Sequence, residues 1–265
     1  MRLGRKRERA PRGEAVYPVI QIGQLLLPTL GVAAAAGVIT AVILAITRAR
    51  AFGAGRVSVF VAASAALMAG VFGNTTANHL LVMRFGQCFP SVAFAAGVAT
   101  AALAVKVWSL MTGDRFYVLA DCFAQPIALA LAVERFGCFM AGCSYGQPTD
   151  QPWGIVFNNA LALAWYRTPI GVRLQPAQLY ECLLAVLLLV LLKLIARHKL
   201  RNGSQFLVLA AAYAFGRYFI EFLRGDAERG FLGPLSIPQW LCALTLIASV
   251  ILLTRNSRRN GAAYR

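Results

Sequence analysis

Charge is scarce in this sequence: only 14% of its 265 residues are Asp, Glu, Lys or Arg, while 59% are hydrophobic. A soluble domain of this length exposes far more polar surface, so a water-soluble globular fold is excluded. Histidine is scarcer still, with only His79 and His198. Of six cysteines, only Cys138 and Cys143 are close in sequence. No second His/Cys pair completes a zinc site, and no metal or cofactor is expected. The sequence also lacks a Gly-rich phosphate loop, a GxSxG elbow and an HExxH helix, so P-loop, dinucleotide, serine-hydrolase and zincin chemistry have no foothold. Internal repeats, low-complexity tracts and an inter-domain hinge are missing too, which implies one domain over residues 1–265.

What is present is apolar sequence in long runs. About 20 apolar residues cross a bilayer core, and seven candidate spans meet that measure, near 19–46, 57–83, 88–111, 116–143, 176–196, 205–223 and 236–254. The expected class is all-α, a polytopic membrane protein with about seven transmembrane helices. Residues 1–17 are a basic tail with no apolar core and no convincing cleavage site after it, so the first span is expected to be retained. Residues 255–265 form a second basic tail. In the second span, Gly73 to His79 is polar for lipid and is expected to face protein or a cavity. The fourth carries Asp121, Gln125 and Pro126, unlike a plain lipid-facing helix.

The formal charge of +16 sits mainly in tails and short connections. That pattern belongs to loops facing an anionic leaflet and does not point to nucleic acid. Between spans, Arg and Lys collect on the side that also holds the C-terminus, at Arg48, Arg50, Arg115, Arg197 and Arg255 among others. The positive-inside rule makes that side cytoplasmic, giving an N-out/C-in topology, with the basic N-terminal tail as the dissenting region. The loop 144–175 then faces out, its Trp153, Trp165 and Tyr166 suited to the membrane interface.

The chain is organised around Glu134 to Trp153, where hydrophobic sequence runs into Glu134-Arg135 and then a Gly- and Cys-rich segment. Ionisable residues at membrane depth are kept for a substrate path, an ion pair or catalysis. Gly137, Gly142 and Gly146 allow a sharp turn or a close approach to a ligand. In the sixth span Tyr213, Arg217, Glu221 and Arg224 fall on one face of a continuous helix. Either Arg217 and Glu221 neutralise each other structurally, or Arg135 and Arg217 converge on one anionic group. Guanidinium forks match phosphate oxygens and stay charged when desolvated, and inside a membrane the obvious phosphate is a lipid headgroup. At the fifth span Gln178 and Glu181 share a face, with Tyr180 between them; they either point into the bundle or cap and anchor the helix. Ser236 to Trp240 reads as a cap with an interfacial anchor. His79 is a candidate general base or a structural polar residue.

At these residues the chain resembles bacterial prolipoprotein diacylglyceryl transferase, over more than half its length from Phe116 onward. The resemblance rests on R-x-G-x-F-x-x-G-x-x-x-G (Arg135, Gly137, Phe139, Gly142, Gly146), P-T-D-x-P-W-G (148–154), P-x-Q-L-Y-E (176–181) and G-R-Y-F-I-E-F-x-R (216–224), in that order. It implies a seven-span, N-out/C-in enzyme of the bacterial inner membrane. The implied reaction moves the diacylglyceryl group of phosphatidylglycerol to a cysteine thiol of a prolipoprotein, releasing glycerol phosphate. Carried over by position, Arg135, Arg217, Tyr213 and Glu221 are the expected catalytic residues. Gly137, Gly142, Gly146, Gln178, Tyr180, Glu181 and Arg224 join Arg135 as expected substrate-binding residues. Expected partners are phosphatidylglycerol, the prolipoprotein and membrane lipids. The chain departs from the family at the third span, where a His-Gly-Gly is replaced by Phe89-Pro90-Ser91, and in the core motif, where Cys138 and Cys143 stand for Asn and Glu. Those departures keep open a divergent non-catalytic lipid- or lipoprotein-binding paralogue, or a relative with another acceptor. Cys138 and Cys143 are expected to be structural or disulfide-bonded, not nucleophiles.

Overall fold

In lipid a backbone must satisfy its own polar groups, and long runs of Leu, Ala and Val do so as helices. The computed structural model describes residues 17–87, 89–198, 200–226 and 229–261. Among the described residues are eight α-helices: α1 Thr29–Arg48, α2 Arg56–Phe85, α3 Pro90–Thr112, α4 Phe116–Ala141, α5 Ala160–Tyr166, α6 Ala177–Ile195, α7 Ser204–Ile220 and α8 Ile237–Gly261. All but α5 belong to helical segments long and apolar enough to cross a membrane, seven spans in all. The all-α polytopic class is therefore as the sequence implied. The basic N-terminal tail lies, apart from Tyr17, outside the described residues.

The first span begins later than hydropathy suggested. Residues 19–28 are not helical: β1 Val19–Ile22 pairs antiparallel with β2 Leu25–Pro28, and Gly23 takes a left-handed φ of 62° in the turn. Hydropathy alone does not separate an apolar strand from an apolar helix. The helix starts only after Pro28, at Thr29, whose hydroxyl donates to the Tyr17 carbonyl.

Helix α4 is the centre of the bundle and packs against α1, α6 and α7. Small residues let the backbones approach closely. A Cβ on Gly137 would lie 2.3 Å from that of Ala33 on α1, and one on Gly97 of α3 would lie 2.8 Å from the Gly70 carbonyl oxygen on α2. The polar residues of α4 are buried with partners. Asp121 accepts from the backbone N–H groups of Gly203 (2.6 Å) and Phe206 (2.9 Å), supplying the cap that α7 lacks locally. The Gln125 amide donates to the Leu192 carbonyl and to Gln205, while its oxygen accepts from Arg48. The polar stretch of α2 behaves differently from expectation. Gly73 is buried against Thr100, but Asn74, Thr75, Thr76 and His79 are exposed. Thr75 returns its hydroxyl to the Val71 carbonyl, which satisfies a hydroxyl within its own helix.

Candidate functional site

The site is assembled where α4 ends and α6 begins. Helix α4 stops at Gly142, whose left-handed φ of 84° ends the helix. The chain then runs extended between two other segments. Gly146 N–H donates to the Gln175 carbonyl and Gln175 N–H returns to Gln147, while Gln147 N–H donates to Leu223 and Gly225 N–H to Tyr145. Nothing larger than hydrogen fits at Gly146, where a Cβ would meet the Gln175 carbonyl oxygen at 2.3 Å. This platform fixes the residues after α7. Helix α7 ends at Ile220, a 3₁₀ turn spans Glu221–Leu223, and Arg224 is extended and bridged to Gly146. The helical alignment expected to carry Arg224 is thus replaced by strand pairing.

Two carboxylates lie at the centre. Glu181 is 1% exposed and receives guanidiniums from three directions: Arg135 Nε at 3.1 Å and Arg217 Nε at 3.7 Å on one oxygen, Arg224 Nη1 at 3.0 Å on the other. Glu221, equally buried, pairs with Arg217 and with Arg229 Nη1 at 3.5 Å, and accepts the Ser236 hydroxyl at 3.1 Å. Arg135 also meets Glu134 at 2.9 Å, and Arg224 grips Asp226 through both ends of its fork at 2.8 and 2.6 Å. Burial alone would raise the Asp226 pKa, but the Arg224 hydrogen bonds and charge outweigh it and hold the carboxyl below its usual range. Arg224 is in turn shifted up, burial being outweighed by Asp226 and Glu181. The two arginines singled out in the sequence both reach one carboxylate of the protein itself, that of Glu181.

A cavity of about 410 Å³ opens beside this cluster. Five guanidiniums line it, those of Arg135, Arg167, Arg217, Arg224 and Arg229, with the carboxylates of Glu134 and Asp226. The carboxylates of Glu181 and Glu221 lie behind them, each paired with these guanidiniums. Cys138, Cys143, Tyr145, Trp165 and Tyr166 complete one wall, and Pro90 and Ser91 of α3 another. Neither histidine lines the cavity, and His79 is exposed on α2.

The remaining expected residues are placed as follows. Gln178 is fully buried and donates to the Cys143 carbonyl at 2.7 Å, while Tyr180 donates to Gln175 at 2.7 Å; both brace the platform from α6. Tyr213 packs against the core between α4, α6 and α7, one turn before Arg217, and is close enough to interact electrostatically with Glu181 and Arg135. Gly137 packs on α1 and Gly142 ends α4, accepting the Thr168 hydroxyl at 2.8 Å. The Ser236–Gln239 cap forms as read: Ser236 N–H donates to the Gln239 side chain, and its hydroxyl also reaches Glu221. Cys138 and Cys143 are both free thiols. Sequence reasoning missed Arg229 and Asp226 as members of the cluster. The charged run from Arg224 to Arg229, in a short connection between apolar spans, was the available signal.

The family model for prolipoprotein diacylglyceryl transferase matches residues 18–255. Among similar proteins is the phosphatidylglycerol–prolipoprotein diacylglyceryl transferase of Clostridium tetani (strain Massachusetts / E88). It is 35% identical over 132 residues, 50% of this chain and 51% of the relative. A transferase of the same name, numbered 2, from Clostridium perfringens (strain 13 / Type A) is 34% identical over 155 residues, 58% of each chain. The transferase of Frankia alni (strain DSM 45986 / CECT 9034 / ACN14a) is 34% identical over 158 residues, 59% of this chain and 40% of that one. The chain spans about half the length of the relatives it matches. With a seven-span bundle and an arginine-lined cavity built from the matched region, the chain belongs to the prolipoprotein diacylglyceryl transferase family.

Proposed function

We propose that this protein transfers the diacylglyceryl group of phosphatidylglycerol to the lipobox cysteine thiol of a prolipoprotein, releasing glycerol phosphate, in the inner membrane of a bacterium. The observation that carries this reading is the cavity with the guanidiniums of Arg135, Arg217, Arg224 and Arg229 gathered on its walls. A phosphodiester carries one negative charge and gains another as its C–O bond breaks. Guanidiniums already fixed by Glu181 and Glu221 stabilise that developing charge without reorganising, which favours the transition state over the bound lipid. In this reading Arg135 and Arg217 act on the phosphate, with Arg224 and Arg229 beside them. Glu221 and Tyr213 hold the Arg217 turn, and Gly146, Gln178 and Tyr180 keep the platform in register. The acceptor thiol attacks the glyceryl carbon, so no cysteine of this chain need form a covalent intermediate.

The test has two arms. Expression in a strain depleted of its own transferase should restore growth. Purified protein with phosphatidylglycerol and a lipobox peptide should release glycerol phosphate. Lipid binding with no release and no rescue, from a well-inserted protein, would instead establish the non-catalytic paralogue.

A further inference from the structure

A thiol must lose its proton to become a nucleophile, and its own pKa near 8.5 leaves only a few per cent ionised at neutral pH. Among the described residues, no histidine lines the cavity to take that proton. The Tyr166 phenol is a poor candidate, because burial pushes it further up. Of the described carboxylates in and behind it, Glu181 and Glu221 are 1% exposed and enclosed by guanidiniums, out of reach of an incoming side chain. Asp226 is gripped by both ends of the Arg224 fork. Glu134 differs from all three. It lines the cavity, is 29% exposed, and has only one of its oxygens against a guanidinium, Oε2 at 2.9 Å from Arg135 Nε. Its other oxygen, Oε1, already accepts a hydrogen bond from a thiol, that of Cys138 at 3.2 Å. The same carboxylate thus touches the phosphate-facing arginine on one side and a sulfur donor on the other.

We propose that the Glu134 carboxylate is the base that accepts the proton of the acceptor cysteine. This deepens the reading above and rests on it. The substrate S–H gives its proton to Glu134 Oε1. The sulfur lone pair forms the bond to the glyceryl carbon, and the C–O bond to phosphate breaks. Its electron pair leaves on the phosphate oxygen, which departs as the glycerol phosphate dianion. The charge lost at Glu134 reappears on the leaving group, beside Arg135. Glu134 returns its proton to water or to the departing phosphate.

The experiment compares wild type with Glu134→Gln, supplying phosphatidylglycerol and either a lipobox peptide or the same peptide with selenocysteine at the acceptor position. A selenol is already ionised at neutral pH and needs no base. Glu134→Gln should lower kcat with the thiol peptide by on the order of a hundredfold, the scale of a lost general base. The KM for phosphatidylglycerol should stay unchanged, and turnover with the selenol peptide should approach wild type. A variant as fast as wild type with the thiol, or equally slow with both acceptors, overturns the assignment. Should Glu134→Gln fold poorly, Glu134→Asp is read the same way. A shortened carboxylate should slow the thiol reaction more than the selenol reaction, and an equal loss counts against the proposal. If wild type releases no glycerol phosphate with either acceptor, the transferase reading and this one fall together. If only the variant comparison fails, this one falls alone.

Discussion

Arg217 serves two carboxylates at once, its Nε directed to Glu181 and its Nη1 to Glu221. Lysine has a point charge on a flexible stem and cannot hold both while facing a phosphate. Arg217→Lys should therefore impair lipid turnover nearly as much as Arg217→Ala. The loss should be about 3 kcal/mol of transition-state stabilisation, or on the order of a hundredfold in rate, with insertion intact. A nearly fully active Lys variant would rule out the shared phosphate site. The Arg217→Leu/Glu221→Leu double variant sharpens this. A self-contained structural pair can be replaced by apolar residues at little cost, but Glu221 also holds Arg229 and Ser236. The double variant should consequently lose thermal stability as well as activity, and one that folds and works would show the cluster to be dispensable. The cysteines carry the opposite expectation. Cys138 and Cys143 line the cavity as thiols, yet nothing in the proposed reaction requires them to bond to lipid. The Cys138→Ser/Cys143→Ser variant, measured by glycerol phosphate release, should keep most of its activity; complete loss with unaltered folding would overturn that role.

At the scale of elements, the segment after α7 carries the decisive geometry. Arg224 is held by Asp226 on one side and Glu181 on the other, and its backbone is bridged to Gly146. Because the folded Asp226 carboxyl titrates below its unfolded value of about 3.9, its contribution to stability is present above that pH. It is lost as pH falls through the folded value. Asp226→Asn should lower thermal stability at neutral pH, and the gap to wild type should close in strong acid. A gap that is constant with pH would mean that the clamp is not electrostatic. These elements also mark how far the sequence could be read. Seven spans followed from hydropathy, because backbone satisfaction in lipid leaves little alternative. Arg217 and Glu221 followed from helical spacing. Arg224 did not, because the helix ends at Ile220 and a strand contact with residues distant in sequence takes over. The hairpin at 19–28 was hidden for a related reason: apolar strand and apolar helix have the same composition. That Glu181 gathers Arg135, Arg217 and Arg224 was also hidden, since Glu181 lies on α6 and the arginines belong to other parts of the chain.

For the whole molecule, the arrangement of the spans decides which side of the membrane the site faces. Seven consecutive spans alternate in direction. The ends of α2, α4 and α7 and the starts of α3, α6 and α8 then share one side. The cavity draws its lining from that side, from Pro90 and Ser91, Arg135, Arg217 and Pro238 together with the loop residues Tyr145 to Arg167. The opposite side holds Arg48, Arg50, Arg115, Arg197 and Arg201, each at a helix end or in a connection. An excess of Arg and Lys in short loops marks the cytoplasmic side. The cavity should therefore face out and the C-terminus in; under the proposed function, the outer side is where a translocated acceptor would present its cysteine. A fluorescent protein fused after Arg265, which folds only in the cytoplasm, should be bright. Alkaline phosphatase inserted after Asp150, exposed in the loop between α4 and α5, should be active, because it requires the outer compartment. A dark C-terminal fusion with an inactive phosphatase insertion would invert the topology. The basic residues near the ends of α1, α3 and α6 would then lie outside, and an acceptor would have to reach the cavity from the cytoplasm.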